Sequence, residues 1–364
     1  MKKGEAPQGE RAALPGRSSS APRNAPPPLD WLTPEIEEAQ ADHRARVAAL
    51  YADPTTGPLY IAGPTCGRWH GLWGTNQIDM LQQPDAWLAD LLADLAAHAE
   101  EFADRRTFRP LFMEVDPLGV HYVDALFGAH VYIYEEQTWS DELPGDVADL
   151  APPDLARSPI FLQSLELARK AVALSQGRIL ITTPVLSCPI NIAINLFGQR
   201  FLETLIERPA VARRALRIIT DVIAACTRAF MEVIPAPIRR NSVAGSRYAP
   251  PGFGQIDGCA TQLVSGAQYR EFFAPLDAEL LALNPHGGMI HLCGEHGQHI
   301  AIWRQMAALR SVQLNDRATE DVELYFCGLR SDQILYVAPT AATPAERILD
   351  LTRGQRLVLQ CSAP

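Results

Sequence analysis

The seven cysteines of this 364-residue chain include no C-x-x-C pair, and their number is odd. No apolar leader with a cleavage site stands near the start, so no export signal is visible. A large chain with widely spaced cysteines is unlike a small secreted domain that depends on disulfides. These absences predict reduced thiols in a cytoplasmic protein. The cysteines are Cys66, Cys188, Cys226, Cys259, Cys293, Cys327 and Cys361.

Membrane spans and nucleic-acid surfaces also lack support in the sequence. The longest uncharged run, Ile179 to Gln199, contains Pro184, Pro189 and two asparagines, which suits a strand, turn and helix better than a membrane helix. The formal charge is −10, and Lys and Arg do not cluster beyond the first residues. Because phosphate binding needs clustered cations, we expect neither nucleic acid nor membrane as a partner.

No G-x-G-x-x-G or Walker-type loop is present, so a doubly wound nucleotide-binding sheet is only the competing interpretation. Apolar runs of strand length instead alternate with amphipathic helices, which favours a parallel sheet. Eight such units would close a barrel. We therefore predict a disordered tail over 1–29, rich in Pro, Ala, Ser and Gly, and one α/β domain, a (β/α)8 TIM-type barrel, over 30–364. Predicted strands are 58–63, 110–116, 179–185, 289–293, 311–315, 334–338 and 357–360, and predicted helices are 33–51, 84–104, 209–234, 296–309 and one starting near 343.

His291 and Cys293 are separated by one residue at the end of a predicted strand, so both side chains should project to the same face. Gly294 follows and indicates that the strand ends there, at the rim where barrel enzymes place their sites. Cys361 ends the last predicted strand and is the preferred third ligand, with Cys327 as its rival. One His and two Cys would bind zinc and leave a fourth position open. Cys259 is left as a residue that could line the same pocket.

Several segments resemble the uroporphyrinogen decarboxylase superfamily, in particular its methylcobamide:thiol (coenzyme M type) methyltransferase branch. The resemblance rests on Gly287-Gly288 before His291-Leu-Cys-Gly294, and on Asp257 to Ser265 followed by Tyr269-Arg-Glu-Phe-Phe-Ala-Pro275. It extends from about Trp31 to the C-terminus and implies a (β/α) barrel.

In that branch the resemblance implies that His291, Cys293 and Cys361 bind Zn²⁺, which keeps a substrate thiol as a thiolate. The thiolate would accept a methyl group from methylcobalamin presented by a separate corrinoid (cobalamin-binding) protein. The partners expected are therefore a corrinoid protein and a small thiol substrate, while a homodimer stays open.

Other polar residues are predicted around the pocket. Asp257 is the candidate catalytic acid that orients the substrate, and Glu114 and Asp116 end a predicted strand as substrate-binding residues. Arg68 and His70, on the loop after the first strand, complete the substrate-binding set. Arg68 is the single cation of that loop, which is few for a substrate with many carboxylates, so porphyrinogen decarboxylation is disfavoured.

Two alternatives from other classes remain. A metal-free, uroporphyrinogen decarboxylase-like lyase would depend on Arg68, Asp116 and Asp257 and would not need the thiols. A non-catalytic barrel would dock a corrinoid protein without turnover. The His-x-Cys pair with a terminal Cys favours the zinc-dependent methyltransferase, because a lyase of this superfamily has no need of them.

Overall fold

The computed structural model describes residues 25–63, 79–134, 137–240 and 245–364. Its strands are β1 Leu59–Tyr60, β2 Phe112–Met113, β3 Val131–Tyr134, β4 Gln137–Ser140, β5 Leu180–Thr182, β6 Arg239–Arg240, β7 Gly254–Asp257, β8 Gly288–Cys293, β9 Leu309–Asn315, β10 Ile334–Val337 and β11 Leu357–Leu359. Its α-helices are α1 Pro34–Ala52, α2 Pro84–Ala97, α3 Tyr122–Leu126, α4 Pro159–Ser175, α5 Pro189–Phe197, α6 Gln199–Glu207, α7 Pro209–Val233, α8 Gly266–Gln268, α9 Ala274–Leu281, α10 Ile300–Gln305, α11 Arg317–Glu320, α12 Val322–Gly328 and α13 Ala345–Thr352.

The strands form two parallel sheets and one antiparallel hairpin. Six strands pair in the order β1-β11-β10-β9-β8-β7, three pair in the order β2-β5-β6, and β3 pairs with β4. Isolated parallel bridges pair Ile61, which follows β1, with Phe108, and Asp257 at the end of β7 with Ser187. The α/β architecture with a parallel sheet is therefore as predicted and consistent with a TIM-type fold, while full closure of the barrel stays a prediction.

Side chains from both parallel sheets pack against one another in one buried cluster, so the two sheets face each other across it. Phe112 and Leu180 come from the smaller sheet, and Met289 and Tyr336 from the larger one. A larger apolar core lies between the strands and the surrounding helices. Burial of these faces is the main stabilising term of the fold. No helix among the described residues is both long enough and apolar enough to cross a membrane.

Helix ends follow the sequence signals in several places. The Thr33 side chain accepts a hydrogen bond from the Ile36 amide at 3.4 Å, and Pro34 occupies the first position of α1, as predicted. The helix predicted near Thr343 begins at Ala345, with Pro344 as its N-cap and no side-chain cap. The segment predicted as a helix over 296–309 is instead a 3-10 turn (Gly297–His299) followed by the short helix α10.

Leu335 in the middle of β10 is fully buried, whereas Leu324 on α12 is 56% exposed. We expect Leu335→Ala to lower the free energy of unfolding by about 2–5 kcal/mol, since the cavity and the lost burial both cost stability. Leu324→Ala, the same truncation at an exposed position, should change it by less than about 0.5 kcal/mol. Urea unfolding of the two variants measures the difference, and equal midpoints would contradict the described core.

Candidate metal centre

Three side chains with metal-binding atoms meet at the carboxyl end of β7 and β8. The sulfurs of Cys259 and Cys293 and a ring nitrogen of His291 all lie within 4.8 Å of one another. His291 Nε2 is 3.2 Å from Cys293 Sγ, which confirms that the two side chains project to the same face of β8. His291 is buried and both cysteines are partly buried.

Strand pairing brings Cys259 to this pair. Asp257 is the register partner of His291 in the parallel ladder between β7 and β8. The next amide, Gly258 N, donates to the carbonyl of His291 at 2.8 Å, and Cys259 follows directly as the first residue of a 3-10 turn. A Cβ on Gly258 would lie 2.6 Å from the Ile290 side chain, so the close approach of the two strand ends suits glycine.

Gly294 ends β8 as predicted, because its φ of +83° is accessible to glycine and strained for other residues. A Cβ at this position would also lie 2.2 Å from the Gln262 side chain, on the turn that starts at Cys259. The chain therefore turns away immediately after Cys293. This leaves the sulfur at the end of the strand rather than inside the sheet.

Two histidines fix the turn that contains Cys259. His296 Nε2 is 3.0 Å from the Cys293 carbonyl, and its Nδ1 is 2.9 Å from the Thr261 hydroxyl. Burial lowers the pKa of His296 to about 4. The neutral ring therefore donates from Nε2 to the Cys293 carbonyl, and its Nδ1 lies beside the Thr261 hydroxyl. His299 Nε2 donates to the Thr261 carbonyl at 2.9 Å. Both imidazoles are fully buried.

The two thiols of the cluster differ in their affinity for a proton. A hydrogen bond from Cys259 lowers the pKa of Cys293, and the adjacent imidazole of His291 lowers it further. The same hydrogen bond raises the pKa of Cys259, and burial adds to that effect. Asn315 Nδ2 also approaches Cys293 Sγ at 3.7 Å. Cys293 is therefore the more acidic of the two thiols, and Cys259 is the donor in the hydrogen bond between them.

The donor set matches the chemistry of zinc. Two sulfurs and one imidazole nitrogen are soft and borderline ligands that zinc prefers over oxygen-only sites. Neighbouring ligands of a tetrahedral zinc lie roughly 3.5–3.8 Å apart when Zn–S is about 2.3 Å and Zn–N about 2.0 Å. The observed spacing, 3.2 Å for one pair and at most 4.8 Å for any pair, needs only small side-chain shifts to reach that geometry.

Cys361 and Cys327 are the two predicted candidates for the third ligand. Among the described residues, the group around His291 contains Cys259 and neither of these two. Cys361 follows β11 and packs partly buried against the main core, where burial and then Glu346 raise the pKa of its thiol. Cys327 is exposed on α12, a helix as predicted. Cys361 as a ligand stays a prediction.

The predicted acids also stand at strand ends. Asp257 is 3% exposed, and its Oδ1 accepts from Arg247 Nη1 at 3.1 Å and from Gln255 Nε2 at 3.2 Å. Glu114 and Asp116, beyond the end of β2, are both buried, and Asp116 Oδ1 accepts from the Val185 amide at 3.2 Å. Their contact with a substrate stays a prediction. Arg68 and His70 lie outside the described residues.

Sequence reasoning placed Cys259 near the pocket but did not recognise it as part of the metal-binding group. The position of Cys259 depends on strand β7. That strand was not predicted, because the segment Gly252-Phe-Gly-Gln-Ile-Asp257 contains few strand-forming residues. Recognition of β7 beside β8 would have placed Asp257 and Cys259 next to His291 and Cys293.

A search of solved structures finds a methyltransferase from Methanosarcina mazei, which matches with a TM-score of 0.60. The match covers 88% of this chain and 93% of that chain at 14% sequence identity. At that identity the likeness establishes a shared fold. No protein-family model matches the chain, and no curated protein matches it.

The low pKa of Cys293 predicts its reactivity in metal-free protein. A thiol alkylates about tenfold more slowly for each pH unit below its pKa, because only the thiolate attacks. Because the hydrogen bond from Cys259 lowers the pKa of Cys293, its rate of reaction with iodoacetamide should fall less between about pH 8 and pH 6 than that of an ordinary thiol. Peptide mapping by mass spectrometry measures each site. In Cys259→Ala the rate at Cys293 should fall with pH, and an unchanged profile would contradict the assigned cause.

Proposed function

We propose that this protein is a zinc-dependent methyltransferase that moves a methyl group between a corrinoid protein and a zinc-bound substrate thiol. The group of Cys259, His291 and Cys293 at the ends of parallel strands is the main support. The fold shared with a methyltransferase agrees with it. The corrinoid partner and the thiol come from the sequence resemblance, which includes His291-Leu-Cys-Gly294.

The proposed ligands are His291, Cys293 and Cys259. Three protein ligands leave one tetrahedral position for a substrate sulfur, as in catalytic rather than structural zinc sites. Cys259 is preferred to Cys361 as the third ligand because its sulfur already lies within 4.8 Å of the other two donor atoms. If Cys361 joined all three, the site would have four protein ligands and no open position.

Zinc, when bound, would act as a Lewis acid and lower the pKa of the substrate thiol. The chain's own residues would prepare this site. Cys293, the more acidic thiol, and Cys259 would both be deprotonated on binding, while His296 and His299 hold the Cys259 turn against β8. In the transfer itself, the substrate thiolate would form the carbon–sulfur bond as the cobalt–carbon bond breaks, and both electrons of the broken bond would remain with cobalt.

The remaining predicted residues are assigned to the substrate. Asp257 would orient the part of the thiol substrate nearest to His291, since the two residues are register partners. The Arg247 guanidinium, which pairs with Asp257 at 3.1 Å, would keep that carboxylate in place. Glu114, Asp116, Arg68 and His70 remain the proposed substrate-binding residues.

Protein purified without added metal should contain about one zinc per chain, measured by elemental analysis. His291→Ala, Cys293→Ala and Cys259→Ser should each abolish stoichiometric zinc, because two remaining ligands do not form a stable site. Cys327→Ser is the matched control, since its thiol is exposed on α12. Loss of zinc in Cys361→Ser with retention in Cys259→Ser would reverse the assignment of the third ligand. A folded protein that takes up no zinc would overturn the function.

Methyl transfer can be followed anaerobically by the change in the absorption spectrum of methylcobalamin when 2-mercaptoethanol is added. Zinc-loaded protein should accelerate the reaction, and removal of zinc with a chelator should lower the rate by about 100-fold or more. Cys293→Ala should behave like the metal-free protein, and Cys327→Ser like the wild type. An equal rate with and without zinc would contradict the mechanism. No transfer by loaded wild type, to this or other small thiols with a methylated corrinoid protein, would contradict the function.

A further inference from the structure

The neighbour of His291 on the side away from Cys293 is a buried glutamine. Gln313 on β9 is the register partner of His291, and its Oε1 forms a hydrogen bond with His291 Nδ1. Gln313 is 2% exposed, so water does not compete for this contact. An amide oxygen can only accept, and therefore the proton of the neutral imidazole must reside on Nδ1.

The orientation of the Gln313 amide is fixed by the acceptors around its nitrogen. Gln313 Nε2 donates to Gln360 Oε1 at 2.6 Å and lies 3.2 Å from the carbonyl of Leu314. Gln360 Nε2 in turn donates to the carbonyl of Ser246 at 2.9 Å. Because a backbone carbonyl cannot donate, each amide in this chain of hydrogen bonds has one allowed direction. Rotation of the Gln313 amide by 180° would place its NH₂ beside His291 Nδ1. It would also place its oxygen beside two acceptors, Gln360 Oε1 and the carbonyl of Leu314.

We propose that Gln313, held by Gln360, is the positioning residue that fixes the tautomer of His291 and so directs its unprotonated Nε2 at the metal. The proposal rests on the proposed function in that it assumes a metal at Cys259 and Cys293. With the proton on Nδ1, the Nε2 lone pair points toward Cys293 Sγ, 3.2 Å away. The other tautomer would place a hydrogen there and block coordination.

The test compares Gln313→Met with Gln333→Met. Methionine has nearly the volume of glutamine and accepts hydrogen bonds only weakly. Gln333 is a matched control, since it is fully buried and donates to two backbone carbonyls, those of Trp303 and Leu309. Zinc affinity, measured by competition with a chromogenic chelator, should fall about 10- to 100-fold in Gln313→Met. It should stay unchanged in Gln333→Met. Gln360→Met, one hydrogen bond further from the imidazole, should have a smaller effect.

A second measurement does not depend on metal. Long-range ¹⁵N–¹H spectra of metal-free protein labelled in histidine, recorded at about pH 8 where an ordinary imidazole is neutral, report the tautomer. The His291 signal, assigned by its loss in His291→Ala, should show the proton on Nδ1 in the wild type and move toward Nε2 in Gln313→Met. Gln333→Met should match the wild type.

The two measurements distinguish a failure of the role proposed for Gln313 from a failure of the proposed function. Wild-type protein that binds zinc, with the same affinity and the same tautomer in Gln313→Met, would overturn the role of Gln313 and leave the proposed function intact. Wild-type protein that binds no zinc would overturn the proposed function and, with it, any role of Gln313 in metal binding. The tautomer of the metal-free wild type would then report only on the hydrogen bond.

Discussion

Parallel pairing of β7, β8 and β9 is the constraint on which the site depends. It sets Asp257, His291 and Gln313 side by side, one from each strand. Because side chains alternate along a strand, a slip of one residue in β8 would turn His291 and Cys293 to the opposite face. The main-chain hydrogen bond from Gly258 to the His291 carbonyl extends this register to the start of the Cys259 turn. The positions of both thiols therefore follow from one ladder of backbone hydrogen bonds.

The polar groups around this ladder are ordered by the need of buried donors and acceptors for partners. His296, His299, Gln313 and Gln360 each have at least one backbone carbonyl within hydrogen-bond distance. A buried donor left without an acceptor costs free energy comparable to a lost hydrogen bond, so each ring or amide has a preferred orientation. The hydrogen bond between the two thiols lowers the pKa of Cys293 and raises that of Cys259, while burial favours the protonated form of each. A site of this kind is ordered before any ligand binds.

Much of the fold was predictable because its elements have local signals. The strand β8, the end of that strand at Gly294 and the helix starts at Pro34 and Pro209 follow from apolar runs, glycine and proline. Strand β7 was missed because one glycine and two polar residues among its four leave it without an apolar pattern, although backbone pairing with β8 stabilises it. The burial of His296 and His299 was not predicted, and it is the 3-10 turn after His296 that places both rings in the interior.

The sequence by itself determined that His291 and Cys293 share one face, because side chains two residues apart on a β-strand project to the same side. It could not choose the sulfur that joins them, since Cys259 and Cys361 both follow a strand and are distant along the chain. Tertiary structure brought Cys259 to the pair, because β7 lies directly beside β8 while β9 and β10 separate β11 from it. Only the same lateral pairing gave His291 a partner for Nδ1, because Gln313 belongs to the neighbouring strand.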